Sequence, residues 1–219
     1  CDAAVDRLVA SGARTLLVVG PDAASPPRAG AGPGAGITEY AHPLRGSFAP
    51  WGVPLEVTVG RPAGVDGPQR LPLSLLVAAW LLRRVPRAGA RDLRMLTVDR
   101  STSPAGCAAI GTRVGSGTPW ALLVMGDGSA CRGPRAPGYD DPRAAPYDTA
   151  VARALAEADA EALAGLDPDL SAGLQAVGRA PWQVLAAAVR AAGGPWRGDL
   201  TYHAAPYGVA YFVANWEPA

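Results

Sequence analysis

The segment from Trp120 to Met125, WALLVM, is apolar at every position and runs straight into Gly126-Asp127-Gly128-Ser129. A strand with no polar face needs cover on both sides, which a parallel sheet between helices supplies. A second run of this kind, TLLVV from Thr15 to Val19, stops at Gly20-Pro21 and follows a segment in which Val5, Leu8 and Val9 share one helical face. A helix leading into a buried strand is the grammar of an α/β fold.

The periodicity predicts helices over 2–11, 73–84, 106–114, 148–164 and 181–192, and strands over 14–19, 55–59, 93–98, 120–125 and 207–216, with 120–125 in the centre of the sheet. The expected architecture is a single domain over 1–219, a three-layer α/β sandwich with a mainly parallel central sheet. Cys1 stands inside the first helical pattern, so a strand is expected ahead of it in the natural protein.

Composition narrows the function classes. The formal charge is +1, and all 20 basic residues are Arg, the mark of a GC-rich genome rather than of phosphate binding. This gives no electrostatic case for nucleic acid or for an anionic membrane surface. The longest apolar run, 71–82, is interrupted by Pro72 and Ser74 and is too short to span a bilayer. Cys1, Cys107 and Cys131 lack C-x-x-C or zinc-type spacing, which implies reduced thiols and a cytoplasmic setting. The expected partner is a small molecule, and the sequence leaves homodimerisation open.

In open α/β sheets ligands collect at the carboxyl ends of the strands, so the loops after Val19, Val98 and Met125 are the candidate site. They carry Asp22, then Asp99 to Ser101, then Asp127, Ser129, Cys131 and Arg132. Asp22, Asp127, Ser129, Arg132 and Tyr207 are the expected ligand-binding residues; Asp127, Ser129, Cys131 and His203 are the catalytic candidates. Each has a plainer reading, since Asp127 and Ser129 suit turns or caps. A serine-hydrolase elbow needs G-x-S-x-G, which the GDGSAC stretch does not supply. A Cys131 nucleophile would need its pKa lowered, for which Arg132 is the neighbour at hand. The glycines of 30–36 lack the G-K-[ST] of a phosphate-binding loop. Zinc or non-haem iron asks for three side-chain ligands; Asp22, His42 and His203 are the metal candidates, with Glu39 and Asp127 in reserve and no spacing that requires them to converge.

The run LLVMGDGSACRGPRAPGYDDPRAAPYDTAV resembles class III extradiol ring-cleavage dioxygenases of the B-subunit (LigB-like) type. In that family a strand leads into a G-D-x-S-H segment and then a G-Y-D-x-R-x-x-x-F-D segment. The tail YHAAPYGVAYFVANW is similar to the Y-x-x-P-Y-G-V-G-Y ending of the family and its actinobacterial relatives, and LLVVGPD resembles the strand that leads to a metal ligand. The resemblance implies Fe(II) held by two His and one Glu, a further His as acid/base, and opening of a catechol ring with O₂.

Carried over position by position, little of that set survives. The first ligand would precede Cys1, and the second falls where this chain has Gly20-Pro21-Asp22. The acid/base His falls on Ala130, and no Glu lies between Pro181 and Ala192, where Gln183 is the nearest polar group. Loss of the acid/base alone is worth roughly 10²- to 10⁴-fold in rate. The resemblance therefore implies the fold with a degenerate site, a crevice that binds a small molecule or partner. The alternative is an Fe- or Zn-dependent oxidoreductase with substituted ligands and one ligand ahead of Cys1.

Overall fold

A computed structural model of the chain describes residues 1–22, 36–40, 44–59, 69–85, 92–116 and 120–219. It is a mixed α/β protein with seven α-helices among the described residues. The strands are β1 Thr15–Pro21, β2 Ile37–Tyr40, β3 Leu44–Ser47, β4 Glu56–Val59, β5 Gln69–Arg70, β6 Asp92–Val98, β7 Trp120–Val124, β8 Trp196–Ala204 and β9 Tyr211–Pro218. The helices are α1 Asp2–Ala10, α2 Leu73–Arg83, α3 Pro104–Gly115, α4 Ala144–Glu157, α5 Ala160–Ala164, α6 Pro168–Gly173 and α7 Arg179–Ala192.

The principal sheet has the order β2-β6-β1-β7, with β1 parallel to β6 and β7, and β2 antiparallel to β6. Alternation along β1 settles which helices cover which face, because successive side chains of a strand point to opposite sides. Leu16 and Val18 pack into a core with Val5 and Val9 of α1 and with Leu75, Leu76 and Ala79 of α2. Leu17 and Val19 enter another core with Cys107 and Ile110 of α3 and with Ala180 and Val184 of α7. The run TLLVV lacks a polar face because both faces are covered.

A small sheet, β4-β3-β5, lies beside α2 and contributes Leu44 and Val57 to the first core. A third core joins α4 and α5 to Trp182 and Ala186 of α7 and to Leu200, Phe212 and Trp216 of the β8–β9 hairpin. Helix α7 thus packs against the sheet through Ala180 and Val184 and meets the hairpin at Trp182 against Phe212.

Three expectations need correction. WALLVM forms β7, but at the edge of the sheet; its apolar character is explained by cover from neighbouring elements, with Trp120 stacked on Trp196 of β8 at 6.4 Å between ring centroids. The tail strand begins at Tyr211, not at 207, and pairs antiparallel with β8 in a separate two-stranded sheet. The helix expected over 148–164 is two helices: Ala158 takes a left-handed conformation at φ 53° and ends α4. Asp159 then caps α5 by accepting from the Ala162 N–H.

No helix among the described residues is long and apolar enough to cross a membrane.

Candidate functional site

The loop after β7 crosses the carboxyl end of the sheet, clamped between α7 and β9. The Gly178 N–H donates to the Asp127 carbonyl at 2.9 Å, and the Gly128 N–H donates to the Ala210 carbonyl at 2.8 Å. The Ala210 N–H in turn donates to the Ser129 carbonyl at 2.9 Å, and the Arg132 N–H donates to the Gly208 carbonyl at 3.0 Å. Residues 127–132 therefore run alongside 208–210. Gly128 is required here: a Cβ would come within 2.8 Å of Asp148 Oδ1, of Ala210 Cβ and of Phe212 Cε2.

Asp148 organises this loop from beneath. It sits on α4 with no exposed surface. Its Oδ1 accepts from the Ser129 N–H at 2.9 Å, and its Oδ2 accepts from the Ser129 hydroxyl at 2.6 Å and from Arg132 Nη1 at 3.2 Å. A buried carboxylate with three donors is a satisfied group. Sequence reasoning did not single it out, although the Tyr147-Asp148 pair had a signal: it falls on the F-D that closes the family's second segment.

These contacts decide the fate of two catalytic candidates. Ser129 is fully buried and its hydroxyl is committed to Asp148, so it faces no substrate. Cys131 is buried, and its thiol donates to the carbonyls of Gly138 at 3.2 Å and Leu174 at 3.5 Å. Burial, with the nearby charges of Asp141 and Asp148, pushes this thiol's pKa up against the opposing pull of Arg143. Arg132 does not activate it, being paired with Asp148. Both residues hold the loop in shape.

Asp127 is different. Its side chain reaches solvent, yet the protein around it raises its carboxyl pKa by desolvation. No hydrogen bond to this carboxylate occurs among the described residues. Tyr211, at the start of β9, has its phenol pKa raised by burial first, then by the Asp127 charge and by Tyr207. Tyr207 stands in the turn before β9 and is 78% exposed.

The remaining candidates are dispersed. Asp22 directly follows β1, its N–H donating to the Val98 carbonyl at 3.0 Å; its charge is felt by Tyr40, whose phenol burial holds high. His203 is exposed on β8 and stacks on Phe212 at 4.8 Å between ring centroids. His42 and the glycines of 30–35 lie outside the described residues.

Asp99 spends its carboxylate on the Ser101 N–H and hydroxyl, each at 2.7 Å. Among the described residues no group of three or more His, Cys, Asp or Glu is placed to hold a metal ion.

Gln183, the nearest polar group to the position of the family's Glu, is buried and spent. Its Oε1 accepts from Arg179 Nη1 at 3.0 Å, and its Nε2 donates to the carbonyls of Ala164 and Leu166, both at 3.0 Å. Arg179 itself is 3% exposed and donates to the carbonyls of Arg100 and Thr102, tying the loop after β6 to α7. Neither residue is available to a ligand. With Ala130 where the resemblance implies the acid/base His and Gln183 committed to packing, the described residues do not fit the iron centre that the resemblance implies.

A scan against protein-family models finds no match, and no curated protein matches the chain.

Proposed function

We propose that the chain is a LigB-like protein, a three-layer α/β sandwich whose metal site has degenerated. Its crevice at the carboxyl ends of β1, β6 and β7 binds a small molecule and does not open catechol rings. The observation that carries this reading is the double hydrogen bond between Ser129 and Asp148. It joins the G-D-x-S segment to the Y-D segment, the two stretches on which the resemblance rests.

Between them stands Ala130, whose N–H donates to the Leu174 carbonyl and whose carbonyl accepts from the Gly138 N–H, both at 2.9 Å. The backbone is held as firmly as a catalytic loop would need, but the side chain that would move a proton is a methyl group. A held loop, with a carboxylate that has no hydrogen-bond partner among the described residues and a phenol beside it, supports binding without the family's chemistry.

Titration of isotopically labelled protein with catechol tests the binding. Amide shifts confined to 126–132 and 207–212 are expected; no shift in these segments at millimolar catechol contradicts the reading.

A further inference from the structure

We propose that the crevice selects an organic ammonium ion with an aromatic or apolar body, held by the Asp127 carboxylate against the rings of Tyr211 and Tyr207. The inference rests on the small-molecule reading above and adds the charge of the ligand. Its basis is the difference between Asp127 and Arg132, the two charged groups of 126–132. Arg132 is neutralised in place by the fully buried Asp148, at 3.2 Å. Asp127 has no ion pair among the described residues, although its backbone is fixed on one side by Gly178 and its neighbour Gly128 by Ala210. Within 126–132 this leaves the Asp127 carboxylate as the charge without an ion pair among the described residues, on a fixed backbone.

The neighbours match the same ligand. The hydrogen bonds of Gly128 and Ser129 with Ala210 bring Asp127 beside Tyr211, the next residue of β9. The Arg132 bond to Gly208 brings the exposed Tyr207 to the same rim. A carboxylate accepts charge-assisted hydrogen bonds from an ammonium group, and phenol rings attract the same cation through their faces. The raised pKa of Asp127 agrees with a carboxylate that lacks a partner.

Calorimetric titration with 2-phenylethylamine, 2-phenylethanol and phenylacetate tests the proposal, since the three share a ring and differ in charge. The amine is expected to bind about tenfold more tightly than the alcohol, the worth of one charged hydrogen bond, with phenylacetate weakest. Asp127→Asn should bring the amine down to the affinity of the alcohol with a melting temperature at neutral pH no lower than that of the parent protein. Tyr211→Phe should keep the preference and Tyr211→Ala should weaken it. Equal affinity for amine and alcohol, absence of amine binding, or a preference that survives Asp127→Asn overturns the inference. Catechol shifts in 126–132 and 207–212 alongside such a result leave the small-molecule reading standing; their absence removes that reading as well.

Discussion

Ser129 and Asp148 are joined twice, N–H to Oδ1 at 2.9 Å and hydroxyl to Oδ2 at 2.6 Å, and neither residue has exposed surface. This pair fixes the loop after β7 to α4 and turns Arg132 toward the interior.

Removing Asp148 strands the Ser129 donors and leaves Arg132 half-buried without its partner. Asp148→Ala is expected to cost about 3 to 5 kcal/mol, the usual loss on breaking a buried charge pair from one side. Ser129→Ala, which leaves Arg132 paired, should cost about 1 to 3 kcal/mol. Urea denaturation measures both; equal costs would mean that Arg132 contributes nothing to the loss.

Helix propensity and packing disagree at Gly111. Alanine in a helix interior is normally better than glycine by about 1 kcal/mol. A Cβ at Gly111 would meet the Val184 carbonyl oxygen at 2.3 Å and Ala187 Cβ at 2.6 Å, so α3 and α7 would have to part. Gly111→Ala should therefore destabilise the protein by about 1 to 3 kcal/mol, as overpacking does. A higher melting temperature for this variant would contradict the close approach of the two helices.

Much of this was legible in the sequence. The segments β1, β6, α2, α3 and α7 are long apolar or periodic runs with clear stops, so hydrophobic pattern alone places them. Strand β8, WRGDLTYHA, was missed because it is largely exposed and offers little apolar alternation to read. The short strands β2, β3 and β5 lack the length for a periodic signal. The edge position of β7 was hidden because cover by neighbouring side chains leaves the same apolar signature as a central position. At the site, Asp127 was readable from its place after an apolar strand. Arg179 was not, since a charged residue within a helix reads as a solvated one until its acceptors, distant in sequence, are known, and Asp148 had the resemblance alone to mark it.

The carboxylates respond to pH with opposite signs. Arg143 holds Asp141 below its ordinary 3.8, at about 2, by a side-chain hydrogen bond and then by a backbone one. Its contribution to stability is present above the ordinary value and is lost as pH falls from there through about 2. Asp127 is raised by burial, so it favours the folded state in its protonated form and loses that contribution as pH rises through its elevated pKa. Carboxyl NMR titration should show Asp141 returning toward ordinary behaviour in Arg143→Ala, with Asp127 unmoved.

Thiol accessibility follows the same burial. Cys107 is pushed up to about 11 by burial, against the opposing charge of Arg179, and Cys131 is raised as well, while Cys1 is exposed. An alkylating reagent at pH 8 should modify Cys1 in the native protein and reach Cys107 and Cys131 only after denaturation. Rapid native labelling of Cys131 would contradict its placement against Gly138 and Leu174.

Reconstitution with Fe(II) under anaerobic conditions tests the proposal that a LigB-like metal site has degenerated. Iron content after desalting, together with the absorbance of ring-opened product on addition of catechol and O₂, is the measurement. Substoichiometric iron and no ring opening are expected; stoichiometric iron with ring-opened product overturns the proposed degeneration.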